Sequence, residues 1–413
     1  MDVQRRASGR RIAQDIERQD REIHAERDAM SGLAEIEERI RPLLTDEPFK
    51  LDVAKHESTL LALLKDELSY ACERSLRFRN YVERWPTDYR ASRRVADLPF
   101  LPVGIFKINP PLCLVGRSEI TRTLASSATT GQVPSRVVLD AATSKRMTRG
   151  VMTIIRDFIG SARRPYLVVD TPATLAGSGE LGARGAAIQG LRSFATEVVC
   201  CLSSDAAGNL KLEAEKLLDC AAKWKDAEVL IYGFTYVIWN HLVKPLQSRG
   251  ITLRLPNARI LHSGGWKRLQ QEAVTKEAFT QGVAAAFGCS NDRVIDFYGM
   301  VENVGVVYPD CAQGNKHVPS FADVIVRDQL TLEPVAAGQR GLVQVCSVLP
   351  TSFPGFLVLT EDIAEVIHSD GCPCGRRGTA FRFVSRVPKA EVRGCGNVET
   401  VRGRPVANGR PDE

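Results

Sequence analysis

The chain has 413 residues, 44% hydrophobic and 25% charged, with 55 basic against 49 acidic residues and a net charge of +6. That is globular composition, sufficient for a large core and two or three units. The positive charge forms no block interleaved with aromatics, so nucleic acid is not an expected partner. The longest apolar run, residues 229–239, is too short to span a bilayer, and no integral membrane segment is expected. The opening MDVQRRASGRR has a basic cluster without a following apolar stretch, so no signal peptide is read there. Eleven cysteines without export signals point to a cytoplasmic location, where thiols serve more often as metal ligands or nucleophiles than in disulfides.

Residues 8–42 mix charges of both signs with Ile12, Ile16, Ile23, Leu33 and Ile36, which predicts a weakly amphipathic, peripheral helix or helix pair. Over 51–85, Leu60, Leu61, Leu63, Leu64, Leu68, Tyr70 and Ala71 recur at helical spacing until Trp85-Pro86 ends the run. DLPFLPVGIFK (97–107) reads as an extended, proline-punctuated lead into a sheet. The next stretch, Leu124–Pro134, gathers Ser126, Ser127, Thr129, Thr130 and the adjoining Ser135 around Gly131. Small hydroxyl side chains and a glycine let backbone N–H groups and hydroxyls approach a phosphate closely. It is not a Walker loop, and a plain Ser/Thr turn is the alternative.

A helix closed by Gly160 is expected over 147–160. Strands are expected at 165–170 and 227–234, a strand running into a Gly-Gly loop over 258–267, one running into a turn over 292–302, and a glycine-rich helix start over 179–194. Strand–loop–helix alternation predicts a mostly parallel α/β sheet with ligands at the carboxyl ends of the strands. From about residue 340 the pattern turns β-rich.

Two groups of cysteines invite chemistry. Cys372 and Cys374 form a Cys-x-Cys pair, and Cys311 precedes His317 by a short spacing. Three thiolates and an imidazole suit tetrahedral zinc, with His368 as a rival ligand and free loop thiols as the alternative. Cys395 lies between Gly394 and Gly396 beside Arg393, where a guanidinium favours the thiolate and the glycines give access. An incidental tail cysteine is the plainer reading. Cys72, Cys113, Cys200, Cys201, Cys220, Cys289 and Cys346 mostly sit in apolar runs and are expected in the core.

Several stretches fall into one order: SSATTG, YGMVE (298–302), TED (360–362) and SRVPKAEVRGCG (385–396). With DLPFLPVGIFK, HSGGWKRLQ, PTSFPGF and CPCGRRG, they resemble the adenylate-forming enzymes, specifically the acyl-protein synthetase (LuxE-type) branch, related to the phenylacetate–CoA ligases. The resemblance covers roughly residues 50–398. It implies an α/β adenylate-forming core over 96–385, a helical N-terminal region over 1–95, and a short tail over 386–413 carrying Cys395. It also implies ATP-dependent activation of a carboxylic acid, fatty in this branch. The acyl group would then pass to Cys395 and on to an acyl-CoA reductase-type protein or acyl carrier.

The resemblance assigns Ser126, Ser127, Thr129, Thr130 and Gly131 to the departing phosphates. It puts Tyr298 and Gly299 at the adenine, and Gly264, Gly265 and Trp266 beside the adenine and the acyl carboxylate. Glu302 would serve Mg²⁺, Asp362 the ribose hydroxyls, and Arg386 the ribose or phosphate. A similar Cys…His…Cys-x-Cys arrangement in the phenylacetate–CoA ligases adds to the zinc reading. The departures are Ala128 in the hydroxyl loop, Val301 in place of Thr, Ser385 in place of a hinge glycine, and Cys-Gly-Asn in the tail. The sequence stops at Glu413, without the lid and lysine of longer superfamily members, so activation is expected to rest on Mg²⁺ and local basic residues. A free-standing acyl-CoA ligase and a non-catalytic nucleotide-binding subunit are the competing readings.

Overall fold

The computed structural model describes residues 32–126, 133–175, 181–266 and 273–387. Its centre is a six-stranded sheet in the order Tyr308–Pro309, Val294–Tyr298, Arg259–Ser263, Leu230–Phe234, Arg164–Val168, Ala195–Cys200. The last five run parallel, and the short Tyr308–Pro309 strand lies antiparallel on Val294–Tyr298 at the edge. Residues of Leu230–Phe234 are all buried, the continuous apolar pattern of a strand covered on both faces. Ile155, Leu217, Phe279 and Phe287, from three of the flanking helices, share its core.

The β-rich part forms a second sheet in the order Lys316–His317, Thr379–Arg386, Leu357–Ser369, Arg340–Ser347, Ala322–Arg327, antiparallel throughout, with Leu101–Pro102 added parallel to Leu357–Ser369. The arms of the hydroxyl loop, Arg122–Ala125 and Arg136–Leu139, make an antiparallel hairpin, and Leu181–Gly182 joins Arg122–Ala125 in parallel. Leu60, Leu63, Leu64 and Leu68 of the N-terminal layer pack into one core with Val345, Phe356 and Phe381 of the antiparallel sheet.

Three local expectations change. The run over 51–85 is two helices, Val53–Arg74 and Leu76–Val82. Ser75 turns to an extended conformation and its hydroxyl accepts the Phe78 N–H at 3.3 Å, so a new N-cap interrupts the helix. The stretch 97–107 is strand only at Leu101–Pro102 and then becomes a 3₁₀ turn, Val103–Lys107. The helix expected from 147 begins at Ala141, because Asp140 caps it by accepting the Thr143 N–H at 2.7 Å, and it ends at Gly160 as expected. The expected helix at 8–42 is described only over 32–40.

The helix Ala141–Ile159 lies hard against the turn after Val294–Tyr298. A Cβ at Gly150 would stand 2.7 Å from the Gly305 carbonyl oxygen, and one at Gly305 2.7 Å from the Met147 Cα. Gly305 also has φ +100, so both positions require glycine. This contact fixes the 301–303 turn against the arm of the hydroxyl hairpin from which the helix starts.

Candidate functional site

Several of the residues singled out in the sequence come together where the parallel strand Val294–Tyr298 ends against the antiparallel sheet. Val294–Tyr298 ends in Tyr298, followed by Gly299 and the 3₁₀ turn Val301–Asn303 that carries Glu302. Tyr298 Oη donates to Asp362 Oδ2 at 2.9 Å, and Arg386 Nε donates to Asp362 Oδ1 at 2.8 Å. Asp362 and Arg386 face each other in the antiparallel ladder, so the sheet register holds the pair. Asp362 is buried while the Arg386 side chain is 72% exposed. The Tyr298 ring stacks on Tyr308 (5.9 Å) and on the half-exposed Phe383 (5.5 Å). Burial, then the facing Asp362 carboxylate, push the Tyr298 phenol well above its usual range, so it remains a donor.

Glu302 is 5% exposed. Burial pushes its carboxyl up, opposed by a hydrogen bond from Ser135 and by the field of Arg386. Ser135 in turn closes the base of the hydroxyl hairpin. Its N–H donates to Ser126 Oγ at 2.9 Å, and its carbonyl accepts the Ser126 N–H at 2.9 Å. Ser126 is therefore placed beside the Glu302 turn. Ser127, Thr129, Thr130, Gly131 and Cys395 lie outside the described residues.

Gly264 follows the Arg259–Ser263 strand with φ +72, and a Cβ there would stand 3.2 Å from the Phe234 ring. Gly265 is exposed, and Trp266 packs edge-on against Trp239 at 6.4 Å. Beneath this loop, Thr235 Oγ1 donates to the Ser263 carbonyl at 3.2 Å and lies 3.0 Å from His262 Nδ1. A hydroxyl has one proton, so His262 Nδ1 is the donor in that second contact. Burial lowers the His262 pKa and keeps the ring neutral.

Two polar groups here were not singled out in the sequence. Lys316, fully enclosed, bridges Asp296 (2.9 Å) and Asp310 (3.0 Å) under the site. Arg184, one residue into the helix Ala183–Leu191, donates from Nε to Asp170 Oδ2 at 2.8 Å and also bonds Tyr236. Asp170 follows one strand, Tyr236 another and Arg184 a third, and no short motif spans such a set.

The four expected metal ligands come together. One donor atom from each of Cys311, His317, Cys372 and Cys374 lies within 4.8 Å of all the others. Cys311 Sγ and Cys372 Sγ are 4.0 Å apart, and Cys374 Sγ is 3.2 Å from His317 Nε2. Zinc–sulfur bonds of about 2.3 Å in a tetrahedron place sulfurs roughly 3.8 Å apart, so the donor set fits a metal. Burial pushes the His317 pKa down to about 4, which leaves the neutral imidazole a ligand needs. His317 Nδ1 is buried without a hydrogen-bond partner among the described residues. His368 is outside the cluster.

Comparison with known proteins gives a consistent picture. The family model described as "Acyl-protein synthetase, LuxE" matches residues 23–401. A long-chain-fatty-acid–luciferin-component ligase of Vibrio harveyi is 31% identical over 137 residues, which are 33% of this chain and 35% of that protein. Its namesake from Aliivibrio fischeri is 30% identical over 140 residues, again 33% and 35% of the two chains. The matched part thus spans about a third of these relatives. Among solved structures, a 2-hydroxyisobutyryl-CoA ligase in an open conformation, with 2-HIB-AMP and CoA, superposes with TM-score 0.64 at 18% identity, covering 83% of this chain and 77% of that one. The α/β fold is therefore that of the adenylate-forming ligases. No helix among the described residues is long and apolar enough to cross a membrane.

Proposed function

Because the chain belongs to the LuxE family of acyl-protein synthetases, we propose that it activates a carboxylic acid with ATP and carries the acyl group as a thioester on Cys395. A carboxylate oxygen of the acid attacks the α-phosphorus of ATP, the bond to the β-phosphate bridge oxygen breaks, and pyrophosphate leaves. The observation that carries this reading is the convergence of the Tyr298–Asp362–Arg386 network, through bonds of 2.9 and 2.8 Å, on the strand end that bears Glu302.

Each group has a role in this reading. Asp362 accepts from the ribose hydroxyls, with Tyr298 and Gly299 beside the adenine. Arg386, exposed at the sheet end, supplies positive charge near the ribose and phosphates. Gly264, Gly265 and Trp266 line the place where acid meets nucleotide, and Gly264 lets the backbone approach closely. Ser126, Ser127, Thr129, Thr130 and Gly131 take the phosphates of the leaving group. Bound at Glu302, Mg²⁺ would neutralise phosphate charge as it builds. Ser135 holds the Glu302 carboxylate toward that position.

In the second half-reaction the Cys395 thiolate attacks the acyl carbonyl carbon, AMP departs, and a thioester remains. The acid is of the fatty class named for the relatives, and a reductase-type protein or acyl carrier receives the acyl group. Cys311, His317, Cys372 and Cys374 hold a structural zinc that ties the 311–317 segment to the antiparallel sheet. In domain terms, residues 1–95 form the helical layer, 96–385 the adenylate-forming core and 386–413 the acyl-bearing tail.

Pyrophosphate exchange with ATP, Mg²⁺ and a panel of acids, followed by intact mass of the protein, tests the reading. Acid-dependent exchange with an added acyl mass is expected. Exchange without any added mass, and product formed only with free coenzyme A, would replace it by the acyl-CoA ligase reading.

A further inference from the structure

The Gly264 loop is joined to a polar group at the neighbouring strand ends by a succession of contacting side chains. Phe234 lies under Gly264, with ring carbons 3.2 Å from where a Cβ would be. Phe234 meets Tyr236 edge-on at 6.5 Å. Tyr236 bonds Arg184, and Arg184 forms a two-pronged ion pair with Asp170. Asp170 is nearly sealed at 4% exposure and also accepts from Thr174 Oγ1 at 2.7 Å, whereas Arg184 keeps 27% of its side-chain surface open. Phe234, Tyr236 and Asp170 sit at or just after the carboxyl ends of parallel strands, the face of such a sheet where ligands bind. Leu181–Gly182, which leads into Arg184, pairs with the strand that leads into Ser126, so Arg184 starts beside the hydroxyl hairpin.

From this succession we infer that the acid taken by the chain carries a neutral hydrogen-bonding group, a hydroxyl or carbonyl, several atoms from its carboxylate, read by Tyr236 and Arg184. The inference rests on the activation reading above and specifies its substrate. Its physical basis is desolvation. An alkyl chain laid along Tyr236 would strip water from the open part of Arg184 and from the phenol and return no hydrogen bond, which is costly for polar groups. A hydroxyl or carbonyl would replace that water. The group is neutral rather than anionic because Asp170 already balances the guanidinium, leaving the pair with no net charge to offer. Sites built to hydrogen-bond a substrate hydroxyl reject the analogue lacking it far more strongly than an apolar wall rejects a missing methylene.

The test is acid-dependent pyrophosphate exchange by the full chain with matched acids: hexanoate against 6-hydroxyhexanoate, 3-phenylpropanoate against its 4-hydroxyphenyl analogue, and tetradecanoate. For at least one pair, kcat/KM is expected to favour the hydroxylated acid by about 100-fold or more. Tyr236→Phe leaves the ion pair in place and should cut that preference at least tenfold, the loss falling on kcat/KM for the hydroxylated acid. Arg184→Lys serves as the second variant, because it keeps a positive charge against Asp170. It should lower the preference through KM rather than kcat. Tetradecanoate used best, with neither variant altering the ranking, overturns the inference and leaves activation standing. Exchange with none of the acids overturns both.

Discussion

Glu302→Gln separates stability from function. In the folded protein Glu302 is 5% exposed, and burial pushes its carboxyl above the usual range. An ion so placed carries a desolvation cost of several kcal/mol, which the Ser135 hydrogen bond offsets by roughly 1.5–3 kcal/mol because one partner is charged. The amide keeps a neutral bond worth about 1 kcal/mol and removes the ionic desolvation, for a net gain on the order of 1–3 kcal/mol. With an unfolding entropy of about 2.1 cal/mol/K per residue over 413 residues, that is a rise in Tm of roughly 1–3 °C. A carboxyl whose folded pKa is raised contributes stability below its unfolded value, and that contribution is lost as pH rises through the folded pKa. The variant's advantage should therefore grow as pH rises above the ordinary glutamate range and fade as pH falls back through it. Over the same range it should lose the Mg²⁺-dependent part of ATP stabilisation and about 100-fold or more of pyrophosphate exchange. Thermal melts across pH, with and without ATP and Mg²⁺, read both effects. A variant that melts lower than wild type at neutral pH and keeps Mg²⁺-dependent exchange would refute the reasoning at both steps.

Metal analysis of protein purified without added metal should give about one zinc per chain, and Cys374→Ser should lose it together with several degrees of Tm; a metal-free protein of unchanged stability with four titratable thiols would contradict this. Cys395→Ser should keep acid-dependent exchange near wild type and abolish hydroxylamine-sensitive acyl labelling, whereas labelling that persists in the variant would move the thioester elsewhere. Tyr298→Phe removes one of the two hydrogen bonds to Asp362, so folding should weaken by roughly 1.5–3 kcal/mol and KM for ATP should rise. An unchanged KM for ATP in that variant would detach Asp362 from the nucleotide.

Most of the strand framework could be read directly, because a run such as Leu230–Phe234 is apolar on both faces and bounded by turns. The order of motifs also located the strand ends where Tyr298, Glu302 and Gly264 stand. Helix boundaries were less legible. Asp140 and Ser75 act as caps through hydrogen bonds to the backbone three residues on, and neither breaks the hydrophobic period. The partners were the hardest to see. Ser135 with Glu302, Arg184 with Asp170 and Tyr236, and Lys316 between Asp296 and Asp310 are contacts between separate elements that no local motif links. The registers of both large sheets and the path of the hairpin bring them together. Four metal-ligand candidates were legible because cysteine and histidine are rare, and their spacing survives without knowledge of the fold.

The glycine-on-glycine contact between the helix Ala141–Ile159 and the Glu302 turn has a consequence for descent. A side chain at Gly150 would meet the Gly305 carbonyl at 2.7 Å, and one at Gly305 would meet the Met147 backbone at the same distance. Neither position can accept a larger residue while the helix and turn keep their present spacing, and a change at one alters what the other tolerates. The two should therefore drift as a linked pair. Lineages that replace one would have to let the helix recede, carrying the hydroxyl hairpin away from the glutamate.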